Sequence, residues 1–132
     1  MNDRVAAIQL PIPPSLNRTY RVGRVRGKSE QFGKGSSRGV IFKTKLAKMY
    51  AEGVRNYCQA QRIEPMEGPV KVTLTIYRPR KAGDLDNYLK VLLDALQGAL
   101  YLKDSQIRQL VALLDDSEPK QARVIVLVEE TL

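Results

Sequence analysis

Hydrophobic and polar positions change period several times along the chain, and each change predicts an element. "RVAAIQL" (Arg4–Leu10) is short and apolar, and three prolines in the next four residues end it, which predicts a strand followed by an extended turn. Further on, "RTYRVGRVRG" and "GVIF" read as the two arms of a ragged hairpin. From Leu46 the spacing moves to threes and fours: Leu46, Met49, Tyr50, Val54, Tyr57 and Cys58 predict an amphipathic helix, with Thr44 as N-cap, running to about Gln61. "PVKVTLTIYRP" then alternates, with Val70, Val72, Leu74 and Ile76 on one face and Lys71, Thr73, Thr75 and Tyr77 on the other, which predicts a strand. Leu85, Leu89, Leu92, Leu93, Leu96 and Leu100 make the stripe of a second helix. "IRQLVALL" fits a strand or a helix, "QARVIVLVEE" fits a strand, and the turn at "DDSEPK" between them predicts an antiparallel hairpin. The succession predicts an α+β fold, a small mixed β-sheet with two helices, in a single domain over residues 1–132.

Charge adds a partner to this picture. Lys and Arg number 22 against 14 Asp and Glu, a formal net charge of +8. Between Arg18 and Lys48 ten basic residues face one acid, Glu30, and "QFGKGSSRG" in the middle predicts a flexible basic loop over residues 22–40. Such an excess favours a polyanion, nucleic acid ahead of an anionic membrane. The basic residues lie in a Gly/Ser loop without helical amphipathicity, which argues against the membrane surface.

The absences narrow the chemistry. There is no histidine, which removes Ser–His and Cys–His nucleophiles and imidazole metal sites. The single cysteine, Cys58, falls on the apolar stripe of the first helix and is expected to pack in the core. Carboxylate, lysine, tyrosine and serine chemistry remains, and oxygen ligands suit Mg²⁺ or Mn²⁺. No apolar run is long enough to span a membrane and the N-terminus lacks a signal-peptide core, so a cytoplasmic location is expected.

"KAGDLDNYLK" (Lys81–Lys90) places two acids, Asp84 and Asp86, where the second helix begins. Each four-residue step overshoots a helical turn by about 40°, so Asp86, Lys90 and Asp94 form a polar ridge beside the leucine stripe. Asp84 as an N-cap and Asp86 as an i,i+4 partner of Lys90, worth a few tenths of a kcal/mol, would explain the pair without function. A third acid, Asp104 in "YLKDSQ", weakens that account. Clustered carboxylates repel unless a cation neutralises them, and a divalent ion held there would activate water against a phosphodiester. Net positive charge would bring the DNA backbone in, and the local acids would hold the ion that cuts it.

"PIPPSLNRTYR", "GDLDNYLKVLLDAL" and "YLKDSQI", in this order over nearly the whole chain, resemble the RusA family of Holliday-junction resolvases of bacteria and their prophages. The resemblance implies a small α+β subunit acting as a homodimer that makes paired symmetric nicks in four-way DNA junctions with Mg²⁺ or Mn²⁺. Carried over, it makes Asp84, Asp86 and Asp104 the metal-binding carboxylates, Lys90 the catalytic lysine and Asn87 a supporting residue. Asp94 also matches, although helix packing or a salt bridge to Lys90 explains it equally well. Asn17 and Arg18 of the Pro-rich motif are placed near the DNA, with Arg21, Arg24 and Arg26 of the basic arm. Lys103 departs from the pattern, standing where a relative can carry a further acid; it would weaken metal binding or add a phosphate contact. A non-catalytic basic nucleic-acid-binding protein is the alternative. A nucleotidyl- or glycosyl-transferase using the D-x-D for metal ranks behind it, because nucleotidyltransferases place a Gly-Ser shortly before the acids and the only candidate, Gly35–Ser36, lies far upstream.

Overall fold

A computed structural model describes residues 4–14, 20–24, 39–43, 45–80 and 84–131, with the segments at 20–24 and 39–43 described by their backbone. Six strands and two helices follow in the order β1 (Val5–Leu10), β2 (Tyr20–Arg24), β3 (Gly39–Lys43), α1 (Lys45–Ala60), β4 (Val70–Tyr77), α2 (Leu85–Leu96), β5 (Ile107–Asp115) and β6 (Arg123–Glu130). The main sheet is mixed, in the order β1-β6-β4-β5, and β2 and β3 form a separate antiparallel pair. This is the expected α+β fold.

Alternation along the strands decides which face meets the helices. In β4, Val70, Val72, Leu74 and Ile76 are fully buried, while the residues between them are only half-buried. The same alternation places Val124, Val126 and Val128 of β6 and Ala6, Ile8 and Leu10 of β1 on that face. Val54 and Cys58 of α1 and Tyr88, Leu92, Ala95 and Leu96 of α2 complete one core. Burial of a Leu or Val side chain contributes about 1.5–3 kcal/mol, so this cluster holds the helices on the sheet. Cys58 packs in the core as expected.

Several expectations are corrected. β5 and β6 do not form a hairpin: β6 pairs antiparallel with β1 and β4, and β5 pairs parallel with β4 on the other side. β4, α2 and β5 therefore form a βαβ unit, since parallel neighbours need a crossover. The two arms expected of a hairpin do pair, as β2 and β3, while the middle of the basic loop expected over 22–40, and Thr44, lie outside the described residues. Met49 and Tyr57, placed on the apolar stripe of α1, are exposed and line an open groove with Leu10, Pro11 and Tyr50. α2 stops at Leu96, earlier than the stripe implied. Gly98 has φ +86°, a left-handed conformation that favours glycine, and it turns the chain so that Leu100 and Tyr101 enter the core from outside the helix.

Candidate active site

The functional side chains hang on α2 and on the turn that follows it. β4 ends at Tyr77, and the chain reverses to enter α2 at Asp84, so Asp84 and Asp86 stand at the carboxyl end of a parallel strand. Asp84 occupies the N-cap position, yet its side chain makes no capping hydrogen bond; only its carbonyl accepts one, from the Asn87 amide at 3.0 Å. Asp86 lies in the first turn, where the helix dipole favours a negative charge. Both acids are exposed, and neither forms an ion pair among the described residues. Nearby, Arg78 forms a bidentate pair with Asp116, both contacts at 2.7 Å. That pairing raises the affinity of the Arg78 guanidinium for its proton, and the more distant charge of Asp84 adds to the effect.

Lys90 follows one turn on. Its Nζ contacts Asp94 Oδ2 at 3.5 Å rather than Asp86. So neither simple account of the acid pair holds in the structure: Asp84 does not cap through its side chain, and Lys90 turns toward Asp94.

Asp104 lies at the opposite end of α2. The chain leaves Leu96, passes Gly98 and reaches a 3₁₀ turn at Asp104–Gln106 before β5. Gln97 Oε1 accepts the Asp104 amide at 3.1 Å, tying that turn to the end of α2. Gln106 fixes it more strongly. Its Oε1 accepts the Leu102 and Lys103 amides, and its Nε2 donates to the carbonyls of Met66 and Gly68, all at 2.8 Å. Glu130 in turn accepts the Gly68 amide at 2.8 Å, and a side chain on Gly68 would meet that carboxylate at 3.1 Å. The glutamine of the D-x-Q motif is thus the brace that holds Asp104, with its exposed carboxylate, against the Met66–Gly68 loop.

At this end Asp94 senses the charge of Asp104. Burial and then the Asp104 charge push the Asp94 carboxyl above its ordinary value. Tyr101 is fully buried, and its hydroxyl donates to the Leu93 carbonyl at 2.9 Å. Burial first, and then the charges of Asp104 and Asp94, push its phenol up. Asp94 makes the salt bridge to Lys90 that the sequence offered for it, and Tyr101 is the residue that sequence reasoning missed. Asp94 had a legible signal, its place on the ridge of Asp86 and Lys90; Tyr101 had none.

The structure therefore divides the expected acids. Asp84 and Asp86 are together at the start of α2, with Asn87 and Lys90 beside them, and Asp104 with Lys103 stands past its end. Ten residues of helix between Asp86 and Leu96 correspond to about 15 Å. Among the described residues no three of the Asp, Glu or Cys side chains gather closely enough to hold one ion. The Asp84–Asp86 pair still suits Mg²⁺, which is commonly held by one or two carboxylates and keeps several waters. Of the expected DNA contacts, Lys103 is exposed, while Asn17, Arg18, Arg26 and the side chains of Arg21 and Arg24 lie outside what is described. The backbones of Arg21 and Arg24 are on β2. No helix among the described residues is long and apolar enough to cross a membrane.

A basic α+β domain with exposed acids where a strand passes into a helix is of a class suited to polyanionic partners such as nucleic acid. The match with a family model is more specific: residues 14–129 match the family described as Endodeoxyribonuclease RusA, and the chain belongs to that family. No curated protein matches the chain.

Proposed function

We propose that this protein is a metal-dependent, structure-specific DNA endonuclease that resolves Holliday junctions by paired symmetric nicks, acting as a homodimer with Mg²⁺ or Mn²⁺. The observation that carries this reading is the pair Asp84 and Asp86, exposed at the start of α2 and engaged by neither a cap nor an ion pair among the described residues, in a chain of the RusA family. Asp84 and Asp86 would hold the ion, and Asp104, separated from them by the length of α2 within one subunit, would reach it only across the homodimer. A divalent ion bound there supplies Lewis-acid help at the scissile phosphate. Lys90, one turn from Asp86, orients that phosphate and offsets its charge, exchanging its contact with Asp94 for one with DNA. Asn87 supports the acids by closing the first turn of α2 onto Asp84. Asn17, Arg18, Arg21, Arg24, Arg26 and Lys103 contact phosphates and place the junction. A location with cellular or phage DNA, in the cytoplasm of a bacterium, follows from that substrate.

The test is cleavage of a synthetic four-way junction beside a linear duplex of the same sequence, in Mg²⁺ and in EDTA. Paired nicks in the junction alone, lost in EDTA, are expected. Tight junction binding with no nicking in Mg²⁺ or Mn²⁺ would favour the non-catalytic binding protein.

A further inference from the structure

We infer that the open groove between α1 and the chain that leaves β1 receives an unpaired DNA base, which lies over Gly53 and stacks on Tyr57. The starting observation is Gly53 itself. Glycine is among the poorest helix formers, yet α1 carries it near its middle. Backbone conformation does not call for it, because Gly98 is the glycine with positive φ among the described residues. Crowding does not call for it either, since no atom lies within 4 Å of where a β-carbon would stand. Nothing inside the chain accounts for the missing side chain. Its effect is to leave the floor of the groove bare.

The groove is built around that floor. Met49 and Tyr57 stand one helical turn to either side of Gly53, with their Cα atoms about 12 Å apart. Both are exposed, at 58% and 39%. Leu10 and Pro11 form the facing wall. The Tyr50 hydroxyl donates to the Pro11 carbonyl at 2.7 Å, and Pro13 is buried, so this wall is fixed before anything binds. The cavity holds about 280 Å³. Sites for drug-sized molecules hold about 300–1,000 Å³, so this one suits a single flat ring system. An aromatic face, a polarizable thioether and a bare strip of backbone favour such a ring, and aromatic faces take nucleobases of any sequence by stacking.

Charge and chain path select a base over other ring compounds. α1 carries Lys45, Lys48 and Arg55 against one acid, Glu52. All three cations are exposed, and none forms an ion pair among the described residues. Lys45 lies one turn before Met49 on the same ridge, placed for the phosphate beside a base held in the groove. The chain that forms the wall at Pro11 runs on to β2, and β3, which touches α1, ends two residues before Lys45. A strand lying on the β2–β3 pair thus meets the groove at its root. Bases are most cheaply unstacked where a duplex is interrupted, so the groove favours branched over linear DNA. That the polyanion is DNA rests on the proposed function; the affinity of the groove for a base does not.

The experiment separates base from phosphate. Two labelled single strands of equal length are titrated: oligodeoxythymidine and its abasic counterpart, which keeps the phosphates and lacks the bases. Wild type should bind the thymidine strand about tenfold more tightly, as expected of one stacked base. Tyr57→Ala removes the stacking face and Gly53→Leu fills the floor. Each should abolish the preference, with abasic affinity and its salt dependence unchanged, since those count phosphate contacts. Gly53→Leu also tells a blocked groove from a misfolded chain: leucine is the better helix former and its β-carbon meets no neighbour, so Tm should not fall. In a strand bearing 5-iododeoxyuridine, irradiation should couple the base to Tyr57 or Met49, read by mass spectrometry of the peptides. Equal wild-type affinity for the two strands, coupling confined to other peptides, or a preference untouched by Gly53→Leu overturns the inference. A wild type that shows the preference and cuts no junction would sink the proposed function and leave the groove standing; one that cuts junctions and ignores the base does the reverse.

Discussion

The two ends of α2 carry the same kind of side chain in opposite circumstances. At the start, Asp84 and Asp86 are exposed and make neither a capping bond nor an ion pair among the described residues. At the far end, Asp94 is half-buried against Lys90 and near Asp104, and the turn that bears Asp104 is braced through Gln106, Gln97 and the Met66–Gly68 loop. The difference separates reactive from structural chemistry on one helix. Exposed acids held at fixed spacing can take up an ion, whereas Asp94, half-buried and paired with Lys90, spends its interactions on the fold. Lys90 lies between and is the natural go-between.

Lys90→Ala offers the largest effect by which this contrast can be broken, short of removing an acid. Loss of a positioned cation in a transition state is expected to slow single-turnover junction cleavage by about 10²-fold with affinity kept. Equal loss of binding would make Lys90 a binding residue of the structural end. Gln106→Ala comes next. It removes four hydrogen bonds that the brace makes, and a loss of about 2 kcal/mol in urea unfolding is expected, since groups left without partners cost about 1–3 kcal/mol. An unchanged midpoint would mean that the turn is held by packing alone. Arg78→Ala should lower Tm, because it removes the bidentate bond to Asp116; if Tm holds, that pair does not support the start of α2.

The smallest effect concerns Asp94. Its carboxyl is raised above the ordinary value by burial, so ionisation costs stability at neutral pH. In metal-free buffer Asp94→Asn should therefore be slightly more stable than wild type at pH 7, with the gain vanishing as pH falls below the ordinary carboxylate range. A destabilised variant at pH 7 would show that its contact with Lys90 outweighs burial.

Much of this was legible from residue order. The alternation of Val70–Tyr77, the leucines of α2 and the three-and-four spacing of α1 follow from side-chain period, which is local. The pairing of strands is not local. β5 and β6 are neighbours in sequence separated by a turn, which predicts a hairpin, but β4 comes between them and takes both. "IRQLVALL" fitted a strand or a helix alike, because its apolar run follows neither period, and only its pairing with β4 decides. For the site, the spacing of Asp86, Lys90 and Asp94 gave the ridge. The position of Asp104 depended on where α2 stops and how Gly98 turns the chain, and periodicity at Leu100 pointed past that stop. Gln106 stood in the motif without a role until its four partners were located.

The most direct measurement is a pair of curves for Asp86→Asn beside wild type: junction affinity in Ca²⁺ or EDTA, and single-turnover cleavage in Mg²⁺. Affinity within about twofold of wild type, with cleavage lowered by about 10³-fold or more, is expected if the start of α2 holds the reactive carboxylates. Cleavage at the wild-type rate would contradict the account, whatever the affinity.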